Sequence, residues 1–292
     1  MQNNNIEKTL KIAILLTSIF FVVEVIGGFI SGSLSLLGDA GHMLRDVLAL
    51  FISLSAINIA KKLPTITKTF GYHRTEIFAA LINGVLLIVI SGWIFFEAYG
   101  RFFEPKPIES ITMFAVALIG LLVNLYVAFK LHGSHDLNVK SAFMHVITDT
   151  FSSIAVIFAS VWIFFTNQAI IDPILGIVIA VFILFSAFLI MKDSIQILLG
   201  FAPKNVDFDG VIKDIENVKG VRSVHNVHLW TLCSNINVID AHILVNGLNM
   251  AKIEKIKSKI KKKLEKYSIK HATLEFECEE CFDNGKVRKI KH

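Results

Sequence analysis

Two His-x-x-x-Asp pairs stand out because each interrupts strongly apolar sequence. His42 and Asp46 come from GDAGHMLRDVLALF, and His145 and Asp149 from SAFMHVITDTFSSIAV. At a spacing of i, i+4 the two side chains of a pair share one helix face, about 40° apart around the axis and about 6 Å along it. An ionised Asp near mid-bilayer costs roughly 2.5–3.5 kcal/mol to insert, so such a residue needs a partner or a task. One pair alone reads equally as an i, i+4 hydrogen bond. Two identical pairs on separate helices offer two imidazole nitrogens and two carboxylate oxygens. That donor set suits tetrahedral Zn²⁺ and suits Mg²⁺ or Ca²⁺, which favour oxygen shells, poorly.

A second group lies in the last third of the chain. VRSVHNVHLWTL and INVIDAHILVNG read as strands carrying His225, His228 and His242. With a hairpin turn between Cys233 and Ser234, His225 and His242 have equal offsets and face each other, about 5 Å apart. By the same count His228 points to the opposite face. In KHATLEFEC, His271, Thr273, Glu275 and Glu277 share one strand face, and Ala272, Leu274 and Phe276 the other. Cys278 and Cys281 form a CEEC motif, which reads as half a zinc site or as a redox pair. The remaining cysteine, Cys233, forms no second pair, so closing a metal site there needs His271, Glu277 or another subunit. His132, His135 and Asp136 read as a solvated loop, and the lysine run 255–266 as a helix face near anionic lipid rather than a nucleic-acid surface.

The elements that must position these residues are visible in the composition. Of 292 residues, 54% are hydrophobic and 18% charged, with a formal net charge of +5; soluble domains carry about 25% charged residues. Apolar stretches fall at about 10–30, 34–60, 77–99, 110–130, 141–165 and 171–193, near the length of about 20 residues that crosses a bilayer. A purely soluble protein, a disordered chain and a disulfide scaffold are excluded. The first stretch reads as a membrane helix and not as a removable signal. Lys61, Lys62, Lys68 and Arg74 follow the second stretch, and Lys130 and Lys140 flank the fourth and fifth. The first and last connections have neither Lys nor Arg, and the third has only Arg101 and Lys106. Positive charge therefore puts both termini in the cytoplasm. After Pro203 the order αββαβ predicts a small ferredoxin-like α+β domain. Residues 1–200 are thus expected to form a six-helix transmembrane domain, and 201–292 a cytoplasmic α+β domain with a frayed tail.

In GGFISGSLSLLGDAGHMLRD, FGYHRTEIFAALING, HVITDTFSS, VHNVHLWTL and HATLEFE, in that order, the chain resembles the cation diffusion facilitators over nearly its whole length. The resemblance implies six membrane helices, a homodimer held largely by the cytoplasmic domains, and export of divalent metal against inward protons. His-x-x-x-Asp on both helices is similar to the zinc-selective branch. The resemblance also implies a cytoplasmic zinc site at His225, His242, His271 and Glu277 that senses metal. A loop site of some relatives uses Asp and His ahead of FGYHRTE; KKLPTITKT has neither, so that site is expected to be absent. One departure is Arg45, where a small or hydroxylated residue is expected. It lies about 100° around the helix from Asp46, with Asp39 and Glu24 as candidate ion-pair partners.

The expected function is proton-coupled export of Zn²⁺ across the cell (inner) membrane, with zinc as substrate and as regulatory ligand, and with no other cofactor. Metal needs neutral imidazole and ionised carboxylate, so binding competes with protonation in the range where His titrates. Neither a Walker loop nor HExxH occurs in the chain, so no enzyme is expected. The competing readings are a membrane-anchored metal sensor without transport, and a transporter of Cd²⁺, Co²⁺, Fe²⁺ or Ni²⁺. The expected partners are a second copy, metal ions, protons and lipid, with no nucleic acid.

Overall fold

The computed structural model describes residues 2–60, 64–131, 137–233, 236–246, 249–279 and 285–287. The side chains of Arg45, Asp46 and His145, and the whole of His132, His135, Asp136 and Cys281, lie outside the described set. Six long helices come first: α1 (Gln2–Ser31), α2 (Leu34–Ala60), α3 (Arg74–Phe103), α4 (Ser110–Leu131), α5 (Leu137–Thr166) and α6 (Ile171–Leu198). Each covers one of the expected apolar stretches. Among the described residues Arg74–Phe103, Ser110–Lys130, Val146–Thr166 and Ile171–Leu198 are long and apolar enough to cross a membrane.

These helices turn apolar side chains outward and small or polar ones inward, as a lipid-facing surface requires. Phe96, Phe129, Phe165 and Phe182 are exposed, while Ser91, Ser153, Ser160 and Asn124 are buried. Gly27 and Gly120 let α1 and α4 approach closely: a Cβ at either would collide with Val116 or Phe20. Gly32 adopts φ +69° and turns the chain from α1 into α2.

The start of α2 is held by one carboxylate. Asp172, fully buried at the start of α6, accepts from Ser33 Oγ at 2.6 Å, Leu34 N at 2.7 Å, Ser35 N at 3.1 Å and Ser35 Oγ at 2.6 Å. Arg101 Nη1 of α3 lies 3.6 Å from the same carboxylate and donates to the Gly32 carbonyl. The orphan N–H groups of a helix start thereby gain an anion, and the anion gains a cation. This is why SGSLS precedes α2 and why Asp follows TNQAII.

The chain divides into two compact units, Met1–Leu54 with Ala80–Met191, and Ser55–Ala79 with Lys192–His292. The second contains α7 (Phe208–Glu216), β1 (Val221–Cys233), β2 (Ile236–Val245), α8 (Met250–Leu264), a 3-10 turn (Glu265–Tyr267) and β3 (Ile269–Glu277). This is the expected αββαβ order. The sheet runs β1-β2-β3, antiparallel and then parallel. Val211, Ile212 and Ile215 of α7 and Ile256, Ile260 and Leu264 of α8 cover one face, against Val224, Leu229, Ile239, Ala241, Ile243 and Phe276. The polar strand residues are left on the other face. The tail, expected to fray, instead returns to β1: Asn226 N donates to the Gly285 carbonyl at 3.0 Å and Val227 N to that of Lys286 at 2.8 Å. Lys286 Nζ also reaches Asp209 at 2.6 Å.

Removing the buried carboxylate that caps α2 strands its four donors and Arg101. Asp172→Ala is expected to destabilise the helical unit by about 3 kcal/mol or more. A thermal melt in detergent that matched the wild type would contradict this account of the α2 start.

Candidate metal centres

In the helical unit, α2 presents His42 and α5 presents Asp149. His42 Nε2 lies 3.5 Å from Asp149 Oδ1, and Asp149 is buried. Two donors on a tetrahedral ion with bonds near 2.0–2.1 Å stand about 3.3 Å apart, so this separation is one a single zinc can span. A second link joins the same helices, because Ser152 Oγ donates to Asp39 Oδ1 at 2.6 Å. Asp46 sits one turn after His42 on α2, and His145 one turn before Asp149 on α5.

In the cytoplasmic unit the local geometry is set by irregular pairing. β1 uses 13 residues where β2 uses 10, and bulges fall between Val221 and Ser223, His225 and His228, and Thr231 and Cys233. His225 pairs directly with His242, as expected, although the hairpin's last pair is Cys233 with Ile236 and the expected turn position is not the one observed. The bulges on β1 absorb the difference. At the middle bulge Asn226 takes φ 50°, which reverses the alternation of faces. His228 therefore pairs with Asp240 on the face that carries His225 and His242, a correction to the parity count, which put it opposite.

Three donors converge there. Glu277 Oε2 lies 3.0 Å from His225 Nε2, and Glu277 Oε1 lies 2.6 Å from His242 Nδ1. One ligand atom from each of the three falls within 4.8 Å of the others, and His225 is 3% exposed. Asn226 Nδ2 meets His242 Nε2 at 2.9 Å. An amide nitrogen only donates, so Nε2 accepts and Nδ1 carries its proton towards Glu277. The set of two imidazoles and one carboxylate fits Zn²⁺ by donor type.

His271 is not brought to this trio. It pairs with Val238, whereas Glu275 pairs with His242, so His271 stands four residues, or about 13 Å, back along the strand. Its ring packs edge-on to Phe70, centroids 5.6 Å apart. Glu275 Oε2 lies 3.5 Å from His242 Nε2 and stands nearer the place of a fourth ligand. The shared face of Glu275 and Glu277 was visible in the sequence, but the parallel register that chooses between Glu275 and His271 was not. Cys278 is exposed just beyond Glu277. The Cys233 thiol is buried and pushed up to about 11, chiefly by desolvation with Glu76 adding to it and Lys270 opposing.

Residues 10–199 match the family model of the cation efflux transmembrane domain, and residues 203–278 that of the cation efflux protein cytoplasmic domain. The chain is 38% identical over 278 residues to the cadmium, cobalt and zinc/H(+)-K(+) antiporter of Bacillus subtilis, covering 94% of this chain and 89% of that one. It is 40% identical over 283 residues to zinc transporter ZitB of Pectobacterium atrosepticum, covering 95% and 87%. It is 39% identical over 278 residues to metal cation efflux system protein CzcD of Cupriavidus metallidurans, covering 94% and 88%.

A thiol held protonated is a poor nucleophile and a poor metal ligand. Peptide mapping after iodoacetamide at about pH 8 is expected to find Cys278 alkylated and Cys233 unmodified in the folded chain. Labelling of both at similar rates would show that Cys233 is not shielded.

Proposed function

The chain belongs to the cation efflux, or cation diffusion facilitator, family of membrane transporters, and from that premise we propose that it exports Zn²⁺ from the cytoplasm in exchange for protons. The observation that carries this reading is the approach of His42 on α2 to Asp149 on α5. Spans that alternate in direction make the second and fifth antiparallel. Asp46 and His145, one turn along α2 and α5 from this contact, are the proposed remaining ligands of the shell.

The chemistry of the cycle belongs to these ligands. Zinc enters from the cytoplasm and displaces protons from imidazole and carboxylate; reorientation then opens the site outward, where external protons compete the metal off. Neutral and cationic His interconvert within the working pH range, so the ligands can let the ion go as readily as they take it. Relatives are named for cadmium and cobalt as well as zinc. His and Asp donors accept all three.

The cytoplasmic domain is proposed to dimerise and to sense zinc. His225, His242 and Glu277 supply three ligands, and the fourth comes from Glu275 or, as the family resemblance implies, from His271. Cys278 with Cys281 would add two thiolates at the same end of β3, completed by His271, Glu277 or a partner copy. Both termini face the cytoplasm, and the bacterial relatives point to the cell (inner) membrane.

Two outcomes test these assignments. In proteoliposomes, Zn²⁺ flux with an opposing proton flow is expected for the wild type, and Asp149→Ala is expected to abolish both; flux that survives the substitution would overturn the membrane site. Comparing Zn²⁺, Cd²⁺, Co²⁺ and Mn²⁺ in the same vesicles reads the selectivity. For the cytoplasmic cluster, His242→Ala is expected to raise the zinc concentration needed for activation by about tenfold or more. An unchanged activation curve would remove the sensing role.

A further inference from the structure

The cluster of His225, His242 and Glu277 has a neighbour to which the reading above gives no task. Asn226 follows His225 on β1 and reaches across to β2, where its Nδ2 meets His242 Nε2 at 2.9 Å. The other nitrogen of that ring, Nδ1, faces Glu277 Oε1 at 2.6 Å. His242 is thus held at both ends, by a carboxylate that belongs to the cluster and by an amide that does not. Two observations set Asn226 apart from a strand residue that only fills space. Its Oδ1 is buried and has no hydrogen-bond partner among the described residues, an expense that a purely structural amide avoids. Its backbone takes φ 50° at the β1 bulge, a conformation that Asn tolerates better than most side chains. That backbone is also pinned, because Asn226 N donates to the Gly285 carbonyl at 3.0 Å. With the main chain fixed, the terminal torsion of the side chain stays soft, with two orientations half a turn apart. Rotation about it exchanges the atom shown to Nε2.

The chemistry of imidazole gives this exchange a use. In the neutral ring one nitrogen carries the proton and the other offers a lone pair. A metal ion shared by His242 and Glu277 takes the lone pair of the nitrogen that faces Glu277, which is Nδ1. The proton of the ring then stands on Nε2. Against it Nδ2 sets donor to donor, whereas Oδ1 accepts. A ring nitrogen opposite a metal generally donates to such an acceptor, which fixes both tautomer and ring orientation. Glu275 Oε2 is another acceptor near Nε2, at 3.5 Å, but that side chain is 64% exposed and competes with water for the bond.

We propose that Asn226 is a positioning residue for His242, whose amide donates to Nε2 without zinc and turns over when Zn²⁺ takes Nδ1, so that Oδ1 accepts from Nε2–H. The Nδ1–H bond breaks and an Nε2–H bond forms by exchange with water. The ring is neutral before and after, so its charge does not change. Zinc in the cluster is thereby registered by the one side chain that joins His242 to the strand carrying the docked tail. This rests on the zinc-sensing reading above and adds the residue that orients one of its ligands.

Zn²⁺ titration and nitrogen NMR on the full chain test it, both in an Asp149→Ala background that silences the membrane site. Asn226→Gly keeps the positive φ and removes the amide. It is expected to weaken zinc binding, read by competition with a chromophoric chelator, by about tenfold or more; an affinity equal to that of its parent overturns the proposal. With ¹⁵N-labelled histidine, the His242 signals are those missing from His242→Gln. The expected spectra show the proton on Nδ1 without zinc, and on Nε2 with zinc bound through Nδ1. Zinc bound through Nε2, or a proton already on Nε2 without zinc, overturns the proposal, and these spectra decide even should the glycine variant not fold. Zinc binding in this background that His242→Gln leaves unchanged defeats the sensing reading instead, whatever Asn226→Gly does.

Discussion

A charged side chain removed from water must find its countercharge, a set of donors or a proton inside the protein. That single requirement arranges both compact units. Asp172 is answered by Arg101 and by four donors from the start of α2, and that group fastens α2, α3 and α6 together. Asp149 is answered by His42, and Glu277 by His225 and His242. Imidazole gains and loses charge under physiological conditions. The same need for compensation is met by a guanidinium in one place and by imidazoles in the other two.

The two centres differ in what holds them. The membrane contact joins side chains of separate helices, so its geometry depends on how α2 and α5 pack. The cytoplasmic trio sits on neighbouring strands of one sheet, where backbone hydrogen bonds fix the spacing. Movement of helices can open or distort the first without strain on any ladder. The second keeps its shape as long as the sheet does.

Much of this was legible in the residues, and the losses have a common cause. Six long helices fall on the apolar stretches, four of them long and apolar enough to cross a membrane among the described residues, and the αββαβ order follows from local periodicity. His42 and Asp149 could be singled out because ionisable residues are rare in such sequence. What could not be read was pairing register. A bulge at Asn226 reverses facing without any local signature in VHNVH, so His228 was misplaced. The parallel register of β3 on β2 is a long-range pairing, so nothing in HATLEFE told that Glu275, and not His271, stands beside His242. Docking of the tail at Gly285 and Lys286 is likewise a tertiary event in a stretch of ordinary polar composition.

That docking has a consequence for how the sheet meets its surroundings. β1 is an outer strand of a three-stranded sheet, and a bare outer strand offers its amides to any extended segment that drifts alongside. Here the amides of Asn226 and Val227 are occupied by the chain's own end, and the bulge twists the strand at that very point. Addition of a further strand at this point of β1 is blocked, which leaves β3 as the sheet's other outer strand.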